Sequence, residues 1–173
     1  MSRSFDVTRA QWSRVVDTVM PSLAELLTAG VLNAVADDVE LVGGNRGDDL
    51  RCRIGETSFT VEVKTAWWHD SEQTIVGHSP LRMNQEPDVV ALVGRFDVDE
   101  PTPTLRVIDA TALTIVPDRM FFLVPTPIVR AYSIADGKST ARALISFDTV
   151  QRWQVDLTQG IIEKQLLSVL ADT

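Results

Sequence analysis

The first thirty residues follow the helical period of about 3.6 residues. Trp12, Val15, Val16 and Val19 recur at that spacing, and Thr8 with Gln11 forms a capping box ahead of them. Pro21 then interrupts the run. Ser22 and Glu25 make a second capping box, Leu23, Leu26 and Leu27 carry the apolar face onward, and Gly30 offers a stop. The pattern predicts helices over 8–20 and 22–36, broken at the proline.

The period then shortens to that of strands. A short strand is expected over 38–44. In 49–55, Leu50, Cys52 and Ile54 alternate with Arg51 and Arg53, and 58–65 alternates again beyond Gly55-Glu56. These two segments read as an antiparallel hairpin, with Cys52 a small core residue and not a nucleophile. From Trp67 to Pro87 no clean period appears, which predicts a loop with a short helix near 79–85. Strands follow at 88–96 and 105–110. The last third reads as strand (120–125), helix (126–135), strand (141–147) and helix (148–153), with a turn at Asp136-Gly137. A final amphipathic helix over 160–170 is capped by Thr158. The expected fold class is α/β: an N-terminal helix, then a mixed β-sheet with flanking helices. One domain is expected over 1–173, with a core at about 8–110 and a C-terminal β/α extension at about 111–173.

Composition narrows the function. A net charge of −8 opposes casual binding to nucleic acid, whose non-specific affinity comes from phosphate neutralisation. Any basic surface must therefore be local, drawn from Arg46, Arg51, Arg53, Lys64 and Arg82. One cysteine and two histidines exclude a disulfide framework and a Cys-rich zinc site. No apolar run is long enough to span a bilayer and no signal-peptide core is visible, so a cytoplasmic protein with no membrane partner is expected.

The chemistry gathers in the hairpin. Glu62 and Lys64 are two apart on one strand and so share a face, and Asp49 opens the antiparallel neighbour beside them. Two carboxylates suit a hard cation such as Mg²⁺, which takes oxygen ligands and keeps several waters. A lysine beside them can orient water and offset charge developing on a phosphate. Only three of the 16 basic residues are lysines, which makes one at this place in a valine-rich strand informative.

Asp49, Glu62 and Lys64, spaced as D-x₁₂-E-x-K on a hairpin after an N-terminal helix, resemble the PD-(D/E)xK nuclease superfamily, over roughly residues 8–110. The resemblance implies a restriction-endonuclease-like core and a Mg²⁺-dependent endodeoxyribonuclease, with Mn²⁺ as a substitute, serving restriction, defence or DNA processing. By position, it makes Asp49 and Glu62 the metal ligands together with the backbone carbonyl of Val63, and Lys64 the residue that assists attack by water. Asp48 stands where that family often has proline, and is the alternative ligand to Asp49. Glu25 is a candidate accessory acid, since an N-terminal helix glutamate often approaches the cleft in this superfamily; Ser22-x-x-Glu25 as a capping box is its structural alternative. Gln85 is a candidate for orienting water or meeting phosphate.

Arg46, Trp67, Trp68, His69 and Arg82 are candidates for contact with DNA, the tryptophans by stacking on bases or wedging into a duplex. Core or dimer-interface packing explains Trp67-Trp68 equally well. A homodimer is expected from the two-fold symmetry of duplex cleavage, or else a protein partner that delivers the substrate. The competing function is a non-catalytic interaction or scaffold subunit that retains the fold, motivated by the acidic charge, the paired tryptophans and the apolar final helix.

Overall fold

The structure is a computed structural model that describes residues 9–42, 48–69, 72–78, 81, 86–94, 105–109, 112–115, 121–134, 142–155 and 162–173. In chain order these form α1 (Arg9–Asn33), β1 (Asp38–Leu41), β2 (Leu50–Ile54), β3 (Thr57–His69), β4 (Glu72–His78), β5 (Val89–Gly94), β6 (Leu105–Asp109) and β7 (Ala112–Ile115). Then come β8 (Phe121–Pro125), α2 (Thr126–Ala131), β9 (Ser133–Ile134), β10 (Arg142–Ser146), α3 (Phe147–Val150), a 3₁₀ turn (Gln151–Trp153) and α4 (Ile162–Ala171). Eight strands make one mixed sheet, while β6 and β7 pair separately. The α/β architecture with a leading helix and flanking helices is the one expected.

The β2–β3 hairpin turns as its sequence requires. Ile54 pairs with Thr57, leaving Gly55 and Glu56 as a two-residue loop. Gly55 adopts φ +57°, and no non-glycine residue among those described has positive φ. That combination is the type II′ pattern, in which the first loop residue is the glycine.

β3 organises the sheet because it is longer than any of its neighbours. Val61 pairs with Leu50 of β2 and with Val89 of β5, while Ala66 pairs with His78 of β4 and Gly94 of β5. A strand has only two edges, so β2 and β4 must share one and β5 must take the other. The β5 edge is continuous and parallel from Val61 to Ala66. On the opposite edge β2 ends its pairing at Val61 and β4 begins at Ala66, so residues 62–65 have no strand partner there among the described residues. The result is a notch in the middle of the sheet.

Packing covers much of the rest of the sheet. All six residues of β5 and all five of β8 are buried, as expected for strands covered on both faces. α1 packs against β1, β2 and β3, burying Ala24, Thr28 and Leu32 along one stripe. α3 sets Phe147 edge-on against Phe122, with ring centroids 6.4 Å apart. α4 buries Ile162, Leu166 and Val169, a helical repeat of apolar contacts. No helix among the described residues is long and apolar enough to cross a membrane.

Three expectations change. α1 is a single helix of 25 residues running through Pro21, in place of two helices broken there. The proline removes one backbone donor, but the buried stripe beyond it holds the helix together. The segment after Trp67 is not a loop: β3 continues to His69 and β4 returns along it. The helix expected over 126–135 ends at Ala131, and Ser133–Ile134 pairs with β10 instead. The caps at Thr8 and Thr158, most of the short helix near 79–85 and the Asp136-Gly137 turn lie outside the described residues.

Candidate active site

Asp49 directly precedes β2, and two hydrogen bonds fix it against β3. Its N–H donates to the carbonyl of Val61 at 3.1 Å. Its Oδ2 accepts from the N–H of Val63 at 2.7 Å. A side-chain carboxylate thus takes the place that a strand carbonyl would occupy, and Val63 keeps its donor satisfied inside the notch. A strand residue directs its N–H and C=O to the same edge, so the carbonyl of Val63 faces the notch too.

Glu62 and Lys64 flank Val63. The Lys64 Nζ donates to Glu62 Oε1 in a close ion pair. Glu62 is 2% exposed, one of four buried polar or charged residues described. A carboxylate so deeply buried needs a compensating charge, which the ammonium of Lys64 supplies. Lys64 itself retains 15% side-chain exposure, so the pair lies where the core meets solvent.

α1 adds a fourth ionisable group. Burial raises the carboxyl pKa of Glu25 above its ordinary 4.5, the negative charge of Asp49 raises it further, and Lys64 partly offsets both. Glu25 therefore lies in the electrostatic field of Asp49 and Lys64. Because α1 is continuous, Ser22 and Glu25 sit inside the helix and form no capping box. The purely local explanation of Glu25 is thereby removed.

Asp49, Glu62, Val63 and Lys64 come together, and Glu25 approaches them. Asp48 is half-buried next to Asp49, with no hydrogen bond or ion pair among the described residues. Trp67 is an odd number of residues from Lys64 and so projects from the opposite face of β3. Its indole lies across Gly77: a Cβ at that position would sit 2.7 Å from the ring nitrogen. Trp68 and His69 belong to β3 by their backbone, while their side chains, and Arg46, Arg82 and Gln85 entirely, lie outside the description. Cys52 is buried, with its thiol pushed up to about 12 by burial and by the charge of Asp38, which suits a core residue and not a nucleophile.

One residue on this face escaped the sequence reading. His78 is fully buried on β4 opposite Ala66, and so projects from the same face as Glu62 and Lys64. Nothing in the sequence separates it from a solvent-exposed loop histidine. Its position follows only from the β3–β4 register.

The oxygen donors fit a hard divalent cation. Mg²⁺ is commonly held by one or two carboxylates plus water, and the notch offers Asp49, Glu62 and a backbone carbonyl. No group of three His, Cys, Asp or Glu side chains among the described residues is arranged to hold a metal by itself. Any cation here would therefore rely on the carbonyl and on solvent or substrate oxygens.

The sequence matches no protein-family model and no curated protein. Among solved structures, a bacterial homing endonuclease, I-Ssp6803I, is similar over 86% of this chain and 96% of that one, with 14% identity and a TM-score of 0.47.

Proposed function

We propose that the chain is a divalent-metal-dependent endonuclease that hydrolyses phosphodiester bonds in DNA. The observation that carries this reading is the convergence of Asp49, Glu62 and Lys64 at a gap in β3 pairing, where a carboxylate side chain replaces a strand. In a purely structural sheet the simplest occupant of that gap would be another strand.

Asp49, Glu62 and the carbonyl of Val63 would hold Mg²⁺ or Mn²⁺. When bound, the cation would supply Lewis-acid stabilisation of charge on the phosphate. Lys64 stands at the solvent boundary beside Glu62, where its side chain can orient a water molecule and stabilise the phosphate oxygens. Glu62 fixes the direction of that side chain. Glu25, with its raised carboxyl pKa, is the candidate to accept a proton from the attacking water. The water oxygen bonds to phosphorus and one P–O ester bond breaks, leaving a phosphate monoester end and a hydroxyl end.

Cleavage of supercoiled plasmid with Mg²⁺ or Mn²⁺ tests the reading, comparing wild type with Glu62→Gln and Lys64→Ala. Activity in the wild type alone is the expected result. A Lys64→Ala protein cutting at the wild-type rate would overturn the assignment.

A second reading has its own observation. The Glu62–Lys64 ion pair already balances both charges without a cation, as it would in a non-catalytic subunit that retains the fold. Calorimetric titration with Mn²⁺ separates the two: heat that depends on Asp49 and Glu62 favours the enzyme, and its absence favours the subunit.

A further inference from the structure

The face of the sheet that carries Glu62 and Lys64 does not end at the notch. Directly paired residues project from the same face, so the rows Glu40–Arg51–Thr60 and Asp38–Arg53–Ser58 continue it across β1, β2 and β3. Elsewhere this face is covered, as where Phe147 meets Phe122. Here it is open, and these rows line a trough of about 270 Å³. Arg51 is exposed and has no hydrogen bond or ion pair among the described residues, although Glu40 stands directly across the strand pair. Three other residues of the trough, Arg53, Thr60 and Asp88, are engaged within the fold. Arg53 lies 3.7 Å from Asp37 and donates to the carbonyl of Gly55, and Asp88 accepts from both the N–H and the hydroxyl of Thr60.

We infer that Arg51 is a phosphate contact of a polynucleotide lying along β2 and β3, from the notch toward the Gly55 turn. The inference rests on the DNA half of the reading above and adds the direction in which the strand runs. Arg51 follows Asp49 by two residues, one strand repeat of roughly 6.8 Å. That is the order of separation between neighbouring phosphates, so a phosphate held at Arg51 places the next one at the notch. A guanidinium suits this task because its planar donors match phosphate oxygens in pairs. Asp38 and Glu40 on the β1 side and Asp88 on the far side of β3 oppose the polyanion, confining it to the line of β2 and β3 and weakening its hold. Among the described residues of the trough, Arg51 is the one cation left unengaged, which accords with a chain of net charge −8.

The test is anisotropy of a fluorescent mixed-sequence DNA duplex in EDTA, over a range of salt, with the full chain. Arg51→Ala is expected to weaken binding about five- to tenfold and to lower the salt slope by about one. Glu40→Gln is expected to tighten binding about two- to threefold, a gain that misfolding cannot produce. Lys164→Ala, which removes the same charge from exposed α4, is the control and should change neither affinity nor slope. Wild-type affinity and slope in Arg51→Ala, or no measurable binding by the wild type, would overturn the inference. Plasmid cleavage alongside wild-type binding by Arg51→Ala would remove this contact and leave the nuclease reading in place. Arg51-dependent binding without cleavage under Mg²⁺ or Mn²⁺ would do the reverse.

Discussion

The two edges of β3 make the central contrast of this molecule. Along one edge, β5 pairs with it in parallel from Val61 to Ala66 and is backed by β8, so that every residue of β5 and β8 is buried. Along the other, β2 and β4 stop short of each other and a carboxylate from Asp49 fills part of the space. The same four residues, 62–65, are thus ordinary strand on one side and the floor of the proposed site on the other. A β-strand can be rigidly held along one edge while the other edge is left free for a side chain such as that of Asp49.

The largest effect expected on the open edge is catalytic. Asp49→Asn keeps an oxygen that can accept from Val63 but loses the charge, so plasmid cleavage should fall by about 10²- to 10³-fold with little change in stability. Cleavage rates and a urea midpoint measured on the same preparation check both halves. On the closed edge the balance inverts. Leu123→Ala, in the fully buried β8 that backs this edge, should cost about 2–5 kcal/mol in urea unfolding. Activity per folded molecule should stay near wild type in conditions where the variant remains folded.

Asp49→Ala lies between these two. It removes the acceptor as well as the charge, leaving the Val63 N–H without its partner at a cost of about 1–3 kcal/mol. If Asp49→Ala proves no less stable than Asp49→Asn, the carboxylate is not what closes the sheet.

The smallest effect concerns Glu25. Its folded-state pKa is raised, so the folded protein holds that proton more tightly than the unfolded chain does. Folding stability from this group therefore falls as pH rises from the ordinary 4.5 through the raised value. Glu25→Gln should match wild type below that window, pull ahead through it and keep a constant lead above. The lead should be no more than about 0.5 kcal/mol, or about 1–2 °C in melting temperature for a domain of this size. A lead that shrinks as pH rises would contradict the placement of Glu25 beside Asp49. Added Mg²⁺ should reduce it if the notch binds the cation.

What could be read from the sequence follows from how local each feature is. The β2–β3 hairpin was legible because Gly55 and the alternation of Leu50, Cys52 and Ile54 lie within a dozen residues of one another. That hairpin alone placed Asp49 near Glu62 and Lys64. β4 was not legible, since the segment from Trp67 to Pro87 shows no clean period; Gly77 within it leaves space for the indole of Trp67. Missing β4 concealed His78 and the notch together, because both are defined by the pairing of Ala66 with His78. Pro21 misled in the other direction: a local rule against proline within helices was overridden by the tertiary contacts of α1. The side on which Trp67 emerges also depended on knowing that β3 runs on without interruption past Lys64.

The hydrogen bond from the Val63 amide to Asp49 makes that one proton a gauge of the site. Its nuclear magnetic resonance frequency and its rate of exchange with solvent both depend on whether the carboxylate is seated. Anything that draws Asp49 away, whether a cation or a phosphate, will be registered at a backbone atom that takes no part in the proposed reaction. A titration followed at that single resonance would therefore report occupancy of the notch without any turnover at all.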